Sequence, residues 1–229
     1  MTNIVIITRG RYKLLQQTLH SLYQNTERSE FNLTVVVDRE DDFRVRRLLD
    51  AYSDAQVVYL SNSTHKLSDL KKIGVAVSQH TFGEGHYLYL SDNDVYFCEG
   101  WLKALTTLAE GTFLQGFRLW GGQNHPYHMP TKYVADLSEL GAKEYDMLAG
   151  TSWMMHWETW KDGSVYLKSD SPGVCKGEDV AFCRALKIKG LRIAALDPPL
   201  VLDCGWTNSD GKPAPGLELR RAVPGVYHE

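Results

Sequence analysis

Short apolar runs alternate with longer segments whose apolar residues recur at helical spacing along the first hundred residues. The apolar runs predict strands at residues 4–7, 33–37, 57–60 and 87–90. Apolar stripes predict helices at residues 14–22, within residues 39–50 after a loop, and at residues 67–77. The predicted order of elements is therefore βαβαβαβ.

Continuous apolar strands that alternate with amphipathic helices are typical of a parallel sheet covered by helices on both faces. In such sheets, ligands bind at the carboxyl ends of the strands. Asp38 ends the second predicted strand, and Asp92-Asn93-Asp94 follows the fourth. The sequence thus predicts an α/β fold with acidic residues gathered at its ligand-binding edge.

The pattern of the second half is less regular. A short helix is predicted to Leu108, then a strand at residues 112–119 and an apolar, aromatic stretch at residues 147–157. A helix that opens on acidic residues is predicted at residues 177–189, followed by a strand at 191–202 and an irregular tail from 207. Residues 121–130, with His125 and His128, are predicted to form a loop that serves as a lid or a binding flap.

Composition and charge limit the class of protein. Of the 229 residues, 43% are hydrophobic and 23% charged, which is the balance of a folded globular protein with one core. A formal net charge of -3 gives no overall basic field for non-specific nucleic-acid binding. Four widely spaced cysteines favour a reducing cytoplasm over a disulfide scaffold. No signal peptide or membrane-spanning stretch of ~20 apolar residues is predicted, so we expect a cytoplasmic protein, peripheral where it meets a membrane.

Two carboxylates separated by one residue, Asp92 and Asp94, follow the apolar residues 87–90. On an ideal strand both side chains point to the same face, so one divalent ion or its bound waters can meet both. Oxygen ligands suit a hard cation such as Mn²⁺ or Mg²⁺. The alternative is a solvated turn capped by Asp and Asn side chains.

The order of these segments resembles glycosyltransferases of the GT-A fold, in particular family 2. The matching segments are residues 3–11, 35–38, 71–76, 89–94 and 176–179. They span about residues 3 to 205, and the first hundred match closely. The resemblance implies a single GT-A domain over residues 1–229, with a mostly parallel, Rossmann-like central sheet. Residues 1–100 would be the nucleotide-sugar-binding half, 101–206 the acceptor-binding and catalytic half, and 207–229 an irregular tail.

The resemblance also implies a set of donor-binding residues. Asp38 would contact the base or ribose, and Asp92 and Asp94 would bind the diphosphate through manganese or magnesium. Asp203 stands where such enzymes often place a metal-binding histidine, so it is the candidate third ligand; the alternative is a polar turn residue. The further candidates for nucleotide-sugar binding are Thr8, Arg9, Arg11, Lys72 and Asn93.

The acid pair Glu178-Asp179 opens the predicted helix at 177–189. In family 2, one acid of such a pair deprotonates the acceptor hydroxyl, and we favour Asp179 as this base, with Glu178 as the alternate. The other interpretation is favourable negative charge at a helix N-terminus. Trp153, in an aromatic segment just before the acid pair, is a candidate acceptor contact, although such clusters more often belong to the core.

The expected function is metal-dependent transfer of a single sugar from a nucleotide-diphosphate sugar to an acceptor hydroxyl, with inversion. The acceptor can be a glycan, a lipid-linked sugar, a protein or a hydroxymethylated base in DNA. One alternative is a nucleotidylyltransferase. Such an enzyme needs a glycine-rich phosphate loop with a basic residue after the first strand, and Thr8-Arg9-Gly10-Arg11 matches that loop only in part. Another is a catalytically degenerate sugar-binding protein, against which the intact Asp92, Asp94 and Asp179 argue. The donor's nucleotide and sugar, and the oligomeric state, are left open.

Overall fold

A computed structural model of the chain describes residues 1–38, 42–61, 65–111, 114–116, 133–137, 141–145, 147–148, 152–167, 178–196 and 199–203. The predicted loop at 121–130 and the tail from 207 lie outside these residues. The helices are α1 (Tyr12–Gln24), α2 (Phe43–Asp50), α3 (Leu67–Phe82), α4 (Trp101–Gly111), α5 (Trp157–Gly163) and α6 (Glu178–Ile188). Short 3-10 turns lie at Arg28–Glu30 and Ser164–Tyr166.

The strands form one large sheet and one small ribbon. They are β1 (Thr2–Thr8), β2 (Phe31–Asp38), β3 (Gln56–Leu60), β4 (Tyr87–Asp92), β5 (Val95–Phe97), β6 (Leu114–Gly116), β7 (Tyr133–Leu137), β8 (Ala142–Tyr145), β9 (Ser152–His156), β10 (Ile193–Leu196) and β11 (Val201–Asp203). Within the described residues, nine strands pair in the order β3-β2-β1-β4-β9-β6-β10-β8-β7. The remaining two, β11 and β5, pair with each other.

The first four strands of the sheet are parallel neighbours, as the βαβ pattern predicts. Ile4 of β1 lies between Leu33 of β2 and Tyr89 of β4. Antiparallel pairing begins at β9, which lies between β4 and β6. The expectation of an α/β fold with a mainly parallel central sheet is confirmed for this half, which carries the acidic strand ends.

The prediction of one continuous strand at residues 191–202 is wrong. The structure has two short strands there, β10 in the large sheet and β11 in the ribbon with β5. Prolines 198 and 199 lie between them. Proline donates no backbone hydrogen bond, so this dipeptide suits a change of pairing partner rather than one continuous strand.

Helices cover both faces of the sheet because successive side chains of a strand point to opposite faces. Ile4 and Ile6 of β1 pack in one core with residues of α1, α2 and α4. Val5 and Ile7 pack in a second core with residues of α3, α5 and α6. All four side chains are buried, so the sheet beneath the carboxyl edge is a rigid, dry platform.

Helix α3 lies unusually close to the sheet at Gly74. A Cβ atom there would collide with Val5 Cγ1 and would lie 2.8 Å from Val36 Cγ2. Glycine is therefore required at this contact for steric reasons, and it fixes α3 against β1 and β2.

In the part of the chain that the structure describes, no helix is long and apolar enough to cross a membrane.

Candidate active site

The loop between β1 and α1 has an unusual backbone. Gly10 has φ 91°, and Arg11 follows with φ 59° and ψ 51°. Among the described residues, Arg11 is the non-glycine residue with a positive φ. Left-handed geometry costs an ordinary residue roughly 1–2 kcal/mol. Such strain is commonly found at functional sites, where the surroundings hold it in place.

Asn93 fixes this loop from the end of β4. Its Nδ2 donates to Thr8 Oγ1 at 2.8 Å and to the Gly10 carbonyl at 2.9 Å. Thr8 Oγ1 in turn donates to the Gly10 carbonyl at 2.6 Å. Thr8 and Asn93 are both buried. These polar groups therefore bond each other and hold the loop, and their contact with a nucleotide sugar stays a prediction.

Asp38, the last residue of β2, is a fully buried carboxylate, 0% exposed. Arg9 Nε lies 3.0 Å from its Oδ2, and His65 Nδ1 lies 3.5 Å from its Oδ1. Arg9 also donates through Nη2 to the His65 carbonyl. The Arg9 side chain is 45% exposed, so its guanidinium spans from the buried acid to solvent. His65 is a candidate site residue that the sequence did not indicate.

The placement of His65 follows from strand register. Leu60 at the end of β3 pairs with Asp38, so β3 ends beside the residue whose carboxylate His65 approaches just before α3 begins. The sequence predicts a parallel sheet that contains β2 and β3, but it does not predict which residues of the two strands pair. Register is set by the burial pattern of whole strands, which a short five-residue strand carries only weakly.

Asp94 lies in the bend between β4 and β5 and is ion-paired with Arg11. The Asp94 side chain is 12% exposed and that of Arg11 is 48% exposed. Each guanidinium of the loop after β1 is thus paired with one buried or nearly buried acid at the carboxyl edge. The structure brings the predicted residues Arg9, Arg11, Asp38 and Asp94 into two ion pairs at the same edge of the sheet, and we call these four residues the acidic cluster.

Several carboxylate oxygens of this cluster lack a hydrogen bond. Among the described residues, Asp38 Oδ1 and Oδ2 and Asp94 Oδ1 are buried and accept none. Buried polar atoms in native proteins are nearly always bonded, and each exception calls for a specific explanation. Ion pairing with exposed arginines offsets part of the desolvation cost, yet these lone pairs remain suited to a ligand or a cation.

Asp92 and Asp94 lie at the end of β4, and the strand that carries Asp203 pairs with β5 just after them. Asp92 ends β4 and is half-buried. Asp203 pairs with Val95 across the ribbon, which brings its backbone beside the residue that follows Asp94. Among the described side chains, no group of three His, Cys, Asp or Glu residues is arranged to hold a metal ion alone. The Asp92 and Asp94 carboxylates nevertheless fit a hard cation that takes its remaining oxygens from a ligand, because all their donor atoms are oxygen.

Tyr89, inside β4, supports the strand beneath the acids. Its hydroxyl and the Ser152 hydroxyl of β9 share a hydrogen bond. Burial raises the pKa of Tyr89 well above its ordinary range, and the negative charge of Asp92 acts in the same direction. The phenol therefore stays neutral at physiological pH and adds no charge to the site.

Helix α6 begins at the predicted acid pair Glu178-Asp179. The amide of Val180 donates to Asp179 Oδ1 at 2.9 Å. Phe182, one turn later, stacks on Trp153 of β9. Because Trp153 pairs with Leu90, two residues before Asp92, the first turns of α6 pack toward the carboxyl end of β4.

Trp153 and Lys72 are two further residues that the sequence predicts for the site. Trp153 is 0% exposed, and its ring stacks on Phe182 and lies under the ammonium group of Lys71. This burial favours the core role that the sequence also allowed, and an acceptor contact stays an untested prediction. Lys72 lies on α3, where it is half-buried.

Comparison with solved structures identifies the fold. The chain is similar to S. aureus TarS in complex with UDP-GlcNAc, at 16% identity and a TM-score of 0.66, over 91% of this chain and 59% of that one. It is similar to GalNAc-T7 with UDP, GalNAc and Mn²⁺, at 14% identity and a TM-score of 0.67, over 93% of this chain and 46% of that one.

A third similar structure is the mannosyltransferase PcManGT from Pyrobaculum calidifontis in complex with GDP-Man and Mn²⁺. Its identity is 15% and its TM-score 0.60, over 96% of this chain and 60% of that one. The chain therefore spans 46% to 60% of the length of these solved chains. No protein-family model matches the sequence, and no curated protein matches it significantly. The fold is the GT-A fold of glycosyltransferases, as expected.

Proposed function

We propose that this chain is a metal-dependent glycosyltransferase that moves a single sugar from a nucleotide-diphosphate sugar to an acceptor hydroxyl. The observation that carries the proposal is the pair of buried acids at the carboxyl edge. Asp38 and Asp94 hold carboxylate oxygens that accept no hydrogen bond from the described residues, and each is paired with a half-exposed arginine. The base and ribose of a nucleotide diphosphate offer hydrogen-bond donors to such carboxylates. A cation bound with the diphosphate offers positive charge.

The donor would bind across the ends of β1, β2 and β4. Asp38 would accept hydrogen bonds from the base or ribose, with Arg9 and His65 orienting its carboxylate. Arg11 reaches solvent from the neighbouring loop, and a guanidinium matches the geometry of phosphate oxygens. Residues 1–100 would thus form the donor half of the molecule. Lys72 remains a candidate for phosphate contact on α3.

Asp92 and Asp94, with Asp203 as the third candidate, are the residues that would hold Mn²⁺ or Mg²⁺. Such a cation neutralises charge that builds on the diphosphate as the glycosidic bond breaks. Similar GT-A structures were solved with Mn²⁺, which supports a divalent cation here. The ribbon between β11 and β5 would keep Asp203 near the bend that carries Asp94.

Asp179 would act as the general base, with Glu178 as the alternate. The acceptor hydroxyl gives its proton to the Asp179 carboxylate, and its oxygen forms a bond to the anomeric carbon. The bond from that carbon to the phosphate oxygen breaks, and the nucleoside diphosphate leaves with the electron pair. Attack from the face opposite the leaving group inverts the anomeric configuration, so retention in the product would contradict this step.

The first test is thermal unfolding with UDP-, GDP-, CMP- and dTDP-sugars, each with and without Mn²⁺. A ligand that binds the folded state raises the melting temperature. We expect a metal-dependent rise with one nucleotide and its loss in Asp94→Ala, whereas Asp50→Ala, an exposed acid on α2, keeps it. An equal rise in both variants would overturn the proposed site.

Transfer itself is tested with the donor identified in that way, labelled in the sugar. Glycans, lipid-linked sugars, proteins and DNA with hydroxymethylated bases are offered as acceptors, and release of free sugar is followed in parallel. Transfer or hydrolysis that is lost in Asp179→Asn supports an enzyme. Donor binding without either reaction would indicate a sugar-binding protein. Pyrophosphate release from a nucleoside triphosphate and a sugar phosphate would indicate a nucleotidylyltransferase.

A further inference from the structure

A column of three buried side chains joins α3, β9 and α6. Lys71 Nζ lies 4.7 Å from the centre of the Trp153 ring system. On Trp153, the Phe182 ring is stacked at 4.9 Å between centroids with an interplanar angle of 20°. All three side chains are 0% exposed. An ammonium over an indole face and a parallel ring pair are both attractive contacts, and burial strengthens the first.

Both ends of this Lys71–Trp153–Phe182 column are held in place. At one end, Gly74, three residues after Lys71, brings α3 into direct contact with β1 and β2. At the other end, Phe182 faces Gly163 of α5, where an added Cβ would lie 2.5 Å from Phe182 Cε2. The column therefore has little room to shift, and it fixes α6 relative to the strands that carry the donor site.

The column ends one helical turn from the proposed base. Phe182 follows Asp179 by three residues on α6, so the two side chains lie on neighbouring positions of the helix surface. In the sheet, Trp153 pairs with Leu90, and Asp92 follows two residues later. One side chain of the column thus neighbours the proposed base, and another neighbours the strand of the proposed metal ligands.

We propose that the Lys71–Trp153–Phe182 column holds the first turn of α6, and with it Asp179, at a fixed position relative to the carboxyl end of β4. Trp153 and Phe182 are positioning residues that act through Asp179 and touch no substrate. This inference rests on the proposed function for the role of Asp179. A displacement of the base by about 1 Å can lower turnover as much as 100-fold while the donor site stays intact.

The experiment compares Trp153→Leu, Phe182→Leu and Lys71→Met with two controls. Trp153→Phe keeps an aromatic face for Phe182, and Phe43→Leu makes the same exchange as Phe182→Leu at an exposed site on α2. Amide hydrogen exchange is followed in peptides that cover residues 178–188 and 67–82. Turnover and the donor-induced shift in melting temperature are measured on the same samples.

We expect the two leucine variants to exchange at least about tenfold faster in residues 178–188 and at an unchanged rate in residues 67–82. Turnover should fall about 10- to 100-fold with donor binding unchanged, and Lys71→Met should have a smaller effect in the same direction. Trp153→Phe and Phe43→Leu should resemble the wild type.

Unchanged exchange in residues 178–188 in both leucine variants would overturn the inference. So would faster exchange throughout the protein, which indicates general destabilisation, or a Trp153→Phe variant as impaired as Trp153→Leu. If the wild type transfers no sugar but the leucine variants loosen α6 alone, the column is supported and the proposed function fails.

Discussion

The guanidinium of Arg11 forms a hydrogen-bonded ion pair with the carboxylate of Asp94, although the two residues are 83 positions apart in the chain. A divalent ion on Asp94 must therefore compete with a cation that belongs to the protein. The Arg11 side chain is about half exposed, so solvent partly screens its attraction to Asp94. Arg11 can turn from Asp94 to a phosphate oxygen, since both are anionic oxygens within the reach of one side chain.

Removal of this competing cation should strengthen metal binding in the absence of nucleotide. We expect Arg11→Gln to bind Mn²⁺ about two- to fivefold more tightly than the wild type, in line with a partly exposed ion pair worth up to ~1 kcal/mol. The same variant should bind the nucleoside diphosphate with Mn²⁺ more weakly. Calorimetric titration measures both, with the exposed Arg47→Gln as control. Weaker Mn²⁺ binding without nucleotide would contradict the competition.

Asp38 should contribute to ligand binding more than to folding. A buried carboxylate whose oxygens accept no hydrogen bond from the described residues keeps much of its desolvation cost. Asp38→Asn keeps the shape and removes the charge, and Arg9 can be hydrated because it is half exposed. We expect an equal or higher melting temperature without nucleotide and a donor-induced shift that is reduced or lost. A lower melting temperature with normal donor binding would assign Asp38 a purely structural role.

Asn93 should contribute to both folding and binding. Asn93→Ala removes two buried hydrogen bonds and leaves Thr8 Oγ1 and the Gly10 carbonyl with one partner fewer each. One intramolecular hydrogen bond contributes about 0.5–1.5 kcal/mol, so the loss of two costs about 1–3 kcal/mol. We expect the free energy of unfolding in urea to fall by that amount and donor affinity to fall as the loop loosens. Gln16→Ala, at an exposed position on α1, is the control, and equal effects of the two substitutions would refute this role.

Gly74 should tolerate no side chain. Gly74→Ala places a methyl group against Val5 and Val36, and overpacking of this kind costs typically about 1–3 kcal/mol. We expect a loss of that size in urea unfolding, partly recovered by Val5→Ala in the same chain. Ala76→Gly, at an exposed position of the same helix, isolates the effect of helix propensity. Full stability of Gly74→Ala would mean that α3 moves freely on the sheet.

The first half of the chain was predictable because its strand pattern, helix pattern and element order agree with one another. The apolar run around Ile6 is continuous, as a strand buried on both faces must be, and the stripe through Leu15 and Leu19 is helical. Parallel strands bring their carboxyl ends to one edge, so the proximity of Asp38 to the bend at Asp94 followed from element order alone.

The second half was less predictable because its pairings are not local in sequence. Strand β9 lies between β4 and β6, and no sequence pattern in residues 152–156 predicts this position in the sheet. A tryptophan in an apolar run can belong to the core or to a site, and only the stack with Phe182 decides for Trp153. The imidazole near Asp38 was missed for a similar reason, since the position of His65 beside that carboxylate depends on strand register.

The left-handed backbone of Arg11 has a practical consequence for protein engineering. A redesign guided only by stability would replace Arg11 with glycine, which adopts φ 59° without steric cost. That exchange would also remove the side chain paired with Asp94, so the relief of backbone strain would be offset in part by the loss of the ion pair. Screens that rank variants of this chain by melting temperature would therefore understate what this exchange does to the proposed donor site, and they need a binding assay beside them.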